Sequence, residues 1–292
     1  MRRTSAVSRP AWATLLSGVA GAERKSPVEI LATASSVLTA SPYARVSGLS
    51  TTKFGRWTDG VTAMRADCVS FAAYWQEYNQ RVLAELAALA TQGADPGPLW
   101  VALGDSTAQG LGAAAPHGGY LGQALEELRR RTGQPWRMLN LSVSGSLIRD
   151  VMDNQLPQMP AHADLVTCGV GANDIFYSSP TRLFSDLRTL LAAVPDGTVM
   201  LDLPLPAGFW GFVGRASVPY MSRINRVITE TAMTRSLPVA QVSANFLPPW
   251  RGKFGVDSFH PSQDGYRDWT RALLGALPAD ILPPVTHGAV LV

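Results

Sequence analysis

Residues 99–110 read LWVALGDSTAQG, an apolar run that breaks at Gly104-Asp105-Ser106 into a turn closed by Gly110. A serine at such a break can act as a nucleophile only if a base removes its proton and fixed donors stabilise the oxyanion that follows. Residue types fit for both tasks stand further along the chain. Residues 140–145 (NLSVSG) end a second apolar run in small residues, Gly171-Ala172-Asn173-Asp174 ends a third, and Asp257-Ser258-Phe259-His260-Pro261 sets a carboxylate three residues before an imidazole. A carboxylate so placed can hold one ring nitrogen as a donor and leave the other as a base. Each group also has a plainer reading. Ser106 could be a helix N-cap, Gly145 a tight-turn glycine, Asn173-Asp174 a turn pair, and Asp257 with His260 a surface ion pair. Their joint occurrence in one order, mostly at strand exits, favours the chemical reading.

The set resembles the SGNH hydrolases, also called GDSL esterases and lipases, over roughly residues 98–278. Gly104-Asp105-Ser106 and Gly110 match the first block of that family, Gly145 the second, Gly171-x-Asn173-Asp174 the third, and Asp257-x-x-His260-Pro261 the last, with Ser262, Gly265 and Tyr266 following. Thr107 departs from the leucine often found in the first block, at a position with no chemical role. The resemblance implies Ser106 as nucleophile, His260 as base and Asp257 as its support. It implies an oxyanion hole of the Ser106 amide, the Gly145 amide and the Asn173 side chain, with Asp105 and Asp174 holding their turns. The implied activity is a serine esterase that cleaves small or medium acyl groups from a sugar, lipid or alcohol through an acyl-enzyme. An acyltransferase handing the same acyl group to a sugar or alcohol is the alternative, and a binding module on a decayed esterase is the third class. No cofactor and no metal are implied: HxxxH, HxH and CxxC pairings are missing, and Gly110-Leu111-Gly112 lacks the third glycine of a dinucleotide loop. His117, His162 and His287 read as surface or loop residues.

Positioning these groups requires strands that end on one edge. Residues 100–103, 138–141, 165–168, 199–203 and 239–242 read as strands, separated by helical patterns such as 120–131, a helix start at Ser179-Pro180, and a final helix over about 262–277. Alternation of this kind predicts an α/β fold, a flavodoxin-like three-layer α/β/α domain with a five-stranded parallel sheet, and places Ser106, Gly145 and Asn173 beyond the carboxyl ends of strands. Pro261 is expected at the first turn of the final helix. Before residue 96 the chain reads as an N-terminal arm and helical extension (1–95), and after it as the catalytic domain (96–292). Residues 28–39 form a short candidate helix, and residues 69–89 carry Phe71, Tyr74, Trp75, Tyr78, Val82, Leu83, Leu86 and Leu89 at helical spacing. That stripe reads as ordinary core in preference to a lid or docking face. Residues 91–98 read as a linker.

Residues 204–220, rich in glycine, proline and aromatics, read as a long loop at the site edge. Phe209, Trp210 and Phe212 within it, together with Ile175 and Phe176, are candidate acyl contacts. The 292 residues, 46% hydrophobic, suffice for one large core. The 25 basic against 22 acidic residues form no basic run, which argues against nucleic acid. No transmembrane segment is expected, peripheral lipid contact stays open, and the partner is a small-molecule ester. Cys68 and Cys168 are not expected to form a structural disulfide. The N-terminal stretch mimics a signal peptide poorly, with Pro10 before it and Thr14 and Ser17 interrupting it, which favours the cytoplasm over secretion.

Overall fold

The computed structural model of the chain describes residues 51–205 and 211–282. Strands β1 (Leu99–Gly104), β2 (Arg137–Asn140), β3 (Leu165–Gly169), β4 (Val199–Leu201) and β5 (Val239–Ala240) form one parallel sheet in the order β2-β1-β3-β4-β5. This is the flavodoxin-like order, in which the winding direction reverses between β1 and β3. Helices α1 (Thr51–Gln92), α2 (Ser106–Gln109), α3 (Tyr120–Thr132), α4 (Ile148–Asp150), α5 (Asp174–Tyr177), α6 (Pro180–Ala193), α7 (Gly211–Thr234), α8 (Val242–Asn245) and α9 (Gln263–Ala276) precede, connect and follow the strands.

Two apolar layers explain why the strands read as continuous hydrophobic runs. Every residue of β1 is buried. Trp100 and Ala102 point into one core, shared with α3 and α9, while Leu99, Val101 and Leu103 point into the other, shared with α6 and α7. Successive side chains of a strand face opposite ways, so a strand covered on both faces needs apolar residues at every position. Local signals set the helix ends: the Ser179 hydroxyl accepts from the Arg182 amide ahead of Pro180, and the Ser262 hydroxyl accepts from the Gly265 amide. Pro261 therefore lies before the N-cap of α9, outside its first turn, where it makes a lone bridge with Phe254.

Residues 204–220 do not form a single loop. From Gly211 the chain is helical, and α7 runs through Pro219. A proline there deprives the Arg215 carbonyl of its intrahelical donor, at a cost of about 3 kcal/mol. Burial of Met221, Ile224, Ile228 and Ala232 against the second core offsets that loss. Proline and glycine content misled the sequence reading because it scores local preference and not the packing that overrides it. Phe209, Trp210, the Phe212 side chain, His287, the signal-like stretch and the helix expected over 28–39 lie outside the described residues.

Helix α1 covers an exposed strand edge. Its buried Trp75 joins the first core and its buried Val82 joins the second, so α1 crosses the sheet at β2, which has a partner on one side alone. Between them Asn79 takes the place of a missing strand: its Nδ2 donates to the Asn140 carbonyl at 2.8 Å and its Oδ1 accepts from the Asn140 amide at 3.0 Å. Covering an edge in this way blocks its pairing with another chain. Among the described residues no helix is long and apolar enough to cross a membrane.

Asn79→Ala should leave both main-chain groups of Asn140 without their side-chain partner and lower stability by about 1 to 3 kcal/mol. Urea unfolding of the variant beside the wild type measures this; a change below about 0.5 kcal/mol would mean that water replaces the asparagine without loss.

Candidate functional site

Ser106 is delivered by the carboxyl end of β1. Gly104, the last residue of that strand, runs so close to β3 that a Cβ there would meet the Gly169 carbonyl at 2.5 Å, so the turn admits no larger residue. Asp105 then caps α2: its Oδ1 accepts from the Thr107 amide at 2.9 Å and from the Thr107 hydroxyl at 2.8 Å. Burial pushes the Asp105 carboxyl up, against the pull of those two bonds. Thr107, where the sequence departs from the common family residue, thus steadies the cap. Ser106 opens α2, so its amide belongs to the set that has no partner within a helix.

Asp257 and His260 come from the loop between α8 and α9. The Oδ1 of Asp257 accepts from the amides of Phe259 and His260 at 2.9 and 3.0 Å, which wraps the loop around the carboxylate, and Ser258 takes a positive φ of 55° to allow it. The other oxygen, Oδ2, accepts from His260 Nδ1 at 2.6 Å. His260 Nε2 stands 2.8 Å from Ser106 Oγ across 154 residues of chain. With Nδ1 donating to the carboxylate, Nε2 is left as the acceptor of the serine proton. Both the histidine and the aspartate side chains are buried. Burial raises the Asp257 carboxyl, but its bond to His260, the charge of that ring and the two amides outweigh this and hold it below the ordinary carboxylate value.

The candidate oxyanion groups lie on two adjoining turns. The Ser146 amide donates to the Val143 carbonyl at 3.1 Å, closing a turn in which Gly145 has φ 83°, a conformation that suits glycine. Asn173 Nδ2 donates to the Ser146 carbonyl at 3.0 Å, which ties its side chain to that turn and engages one of its two amide hydrogens. Asp174 links two segments: Oδ2 accepts from the Ile148 amide at 3.0 Å, and Oδ1 from the Ser178 hydroxyl at 3.2 Å. Its burial pushes the carboxyl up to about 6.

Two glutamines escaped the sequence reading. Gln155 accepts from the Gly104 amide and donates to the Gly104 carbonyl, both at 2.8 Å, and also donates to the Ser146 hydroxyl at 3.1 Å. It joins the serine turn to the Gly145 turn. Gln109 donates to the Ser142 carbonyl at 2.9 Å and accepts from the Ser144 hydroxyl. Neither sits in a recognisable pattern, and an amide side chain gains meaning only from what it is buried against. Tyr266 donates to the Leu111 carbonyl at 2.7 Å and fixes the segment after α2.

Of the candidate acyl contacts, Phe176 is 55% exposed and lies 6.4 Å from the Phe259 ring, which in turn meets the His260 ring edge-on at 5.0 Å. Ile175 packs against the second core. His162 pairs with Asp164 at an exposed position, and His117 lies in a single 3-10 turn. Cys68 and Cys168 are free and buried. Among the described residues no group of three or more His, Cys, Asp or Glu side chains is arranged to hold a metal ion.

The family model for GDSL-like lipase/acylhydrolase matches residues 102–267. Among solved structures, TesA is similar at 19% identity with a TM-score of 0.50, covering 63% of this chain and 99% of TesA. Axe2, an acetylxylan esterase from Geobacillus stearothermophilus, is 21% identical with a TM-score of 0.48, over 61% of this chain and 93% of its own. Phospholipase A1 from Streptomyces albidoflavus NA297 is 17% identical with a TM-score of 0.45, over 62% and 99%. The TesA likeness is one of fold. No curated protein matches the sequence.

Asp257 and Asp174 should leave opposite marks on stability. Asp257, held low in the folded chain, stabilises it above the ordinary value of 3.8 and ceases to do so as the pH falls through its folded value. Asp174 keeps its proton up to about pH 6 when folded but releases it near 3.8 when unfolded, so its contribution to stability declines as the pH rises across that window. Asp174→Asn should therefore gain on the wild type by up to about 3 kcal/mol between pH 4 and pH 8. Denaturant titrations at the two pH values measure the gain, and an equal difference at both would contradict the assignment.

Proposed function

Because this chain belongs to the GDSL-like lipase/acylhydrolase family, we propose that it hydrolyses carboxylic esters through an acyl-enzyme on Ser106, with His260 as base and Asp257 as its support. The observation that carries the reading is the 2.8 Å contact of Ser106 Oγ with His260 Nε2, continued by the 2.6 Å contact of Nδ1 with Asp257.

The steps follow from those contacts. Ser106 Oγ attacks the ester carbonyl carbon as its proton passes to His260 Nε2, and the Asp257 carboxylate stabilises the resulting imidazolium. The carbonyl oxygen becomes an oxyanion, for which the Ser106 amide, the Gly145 amide and the second hydrogen of Asn173 Nδ2 are the donors. The bond from carbon to the alcohol oxygen then breaks, and the alcohol leaves with the proton from Nε2. Water attacks the acyl-serine, gives its proton to Nε2, and the carboxylic acid departs as that proton returns to Oγ. Asn173 is already anchored to the Ser146 carbonyl, so little reorganisation precedes the reaction.

The substrates proposed are esters with small or medium acyl groups on a sugar, lipid or alcohol. Phe176, half in solvent beside Phe259, supports an apolar contact at the mouth of the site, and Ile175, Phe209, Trp210 and Phe212 complete the proposed acyl contacts. Residues 1–95 are proposed as an extension of a catalytic domain formed by 96–292. Product analysis with and without a polyol acceptor separates hydrolysis from acyl transfer.

A fluorophosphonate probe should label the wild type and leave Ser106→Ala unlabelled; equal labelling of both would remove Ser106 as nucleophile. Asn173→Ala should lower kcat by about 10²- to 10³-fold while the protein stays folded by circular dichroism. Unchanged turnover would take Asn173 out of the oxyanion hole.

A further inference from the structure

The matched family segment begins at residue 102, so α1 lies wholly outside it. Yet α1 reaches the site on several sides. The Trp75 indole donates to the Gln109 carbonyl at 2.9 Å, at the far end of the short helix that Ser106 opens. Met64, Cys68 and Phe71 close over Leu111 in a separate buried cluster. The next residue, Gly112, runs so close to the base that a Cβ there would stand 2.8 Å from His260 Cβ. Gln109, which the Trp75 indole meets, accepts through its side chain from the hydroxyl of Ser144, the neighbour of Gly145. One face of α1, at positions 64, 68, 71 and 75, thus runs from the segment beside His260 to Gln109.

Asp67 belongs to that face, three residues after Met64 and four before Phe71, and it is half-buried. Its carboxyl is raised by burial and by the like charge of Asp257, while the charge of His260 draws it down, so it lies within the field of both groups. A carboxylate there acts on whatever charge a substrate brings near the scissile bond, and partial burial weakens the screening that water would impose.

We propose that Asp67, at the half-buried margin of this face, borders the substrate cleft as a specificity-determining residue, disfavouring esters with a negative charge near the scissile bond and favouring those with a positive one. The proposal rests on the esterase reading of Ser106. It assigns to a helix outside the family segment a direct part in substrate choice, in addition to its structural cover of β2. The geometry it depends on is the run of contacts from Met64 to Trp75 along Leu111 and Gln109, and the approach of Gly112 to His260.

Three acetate esters test it: neutral phenyl acetate, anionic 4-acetoxybenzoate and cationic acetylcholine. The readout is the ratio of kcat/KM in Asp67→Asn to that in the wild type, taken for each ester, so that differences in leaving-group chemistry cancel. Relative to phenyl acetate, the ratio should rise about fivefold for the anionic ester and fall about fivefold for the cationic one. Both differences should shrink towards unity at about 1 M salt, and Asp67→Glu should keep the wild-type order. A common factor for all three esters, or differences that salt leaves unchanged, would overturn the proposal while phenyl acetate turnover by the wild type upholds the esterase reading. Failure of the wild type to hydrolyse any of the three would bring down that reading and this proposal together.

Discussion

A parallel sheet ends all its strands at one edge, and there the main-chain groups that lose their ladder partners must be satisfied without blocking access to the residues beyond. In this chain side-chain amides meet that demand. Gln155 takes both main-chain groups of Gly104 at the end of β1, Asn79 takes both of Asn140 at the end of β2, and Asn225 takes both of Leu203 just past β4, at 2.7 and 2.8 Å. Each amide offers one donor and one acceptor in a plane, which is what a missing strand neighbour would have offered. A buried main-chain group left unpaired costs about 1 to 3 kcal/mol, so these three residues keep the edge rigid. The serine turn, the Gly145 turn and the Asn173 turn all hang from that edge.

Rigidity at the edge matters because the groups proposed to react are assembled over two length scales. Asp257 and His260 are joined locally: the loop closes on the aspartate through two amides, and the other carboxylate oxygen holds the ring. Ser106 is brought to that ring from 154 residues away, and nothing local to either partner sets the 2.8 Å between them. That distance is fixed by the packing of α9 against the sheet, through Tyr266 on the Leu111 carbonyl, and by the capping of α2. Charge follows the same division. Asp257, with a cation-capable partner, is held low, whereas Asp174, buried among neutral donors, is pushed up to about 6.

Much of this was legible from residue order. The strands were readable because burial on two faces demands unbroken apolar runs, and helix starts at Ser179 and Ser262 because a hydroxyl cap leaves a recognisable residue before a proline or an amphipathic run. The stretch 204–220 was misread for the opposite reason. Its glycines and Pro219 state a local preference, and the apolar face of α7, set against a core formed by remote residues, overrules it. Helix α1 was visible as a stripe, but not its path across the β2 edge, since a stripe records that a face is buried and not by what.

The sequence by itself determined the order of the elements, the apolar faces that must be covered, and the four residue types able to open an ester, because each depends on the character of neighbouring residues. Only the tertiary structure decided which distant groups meet: Ser106 with His260, Gln155 with Gly104, Asn79 with Asn140, and the α1 face with the segment beside the histidine. Those meetings turn on distances of a few ångströms between positions tens to more than a hundred residues apart, and no local preference encodes a distance of that kind.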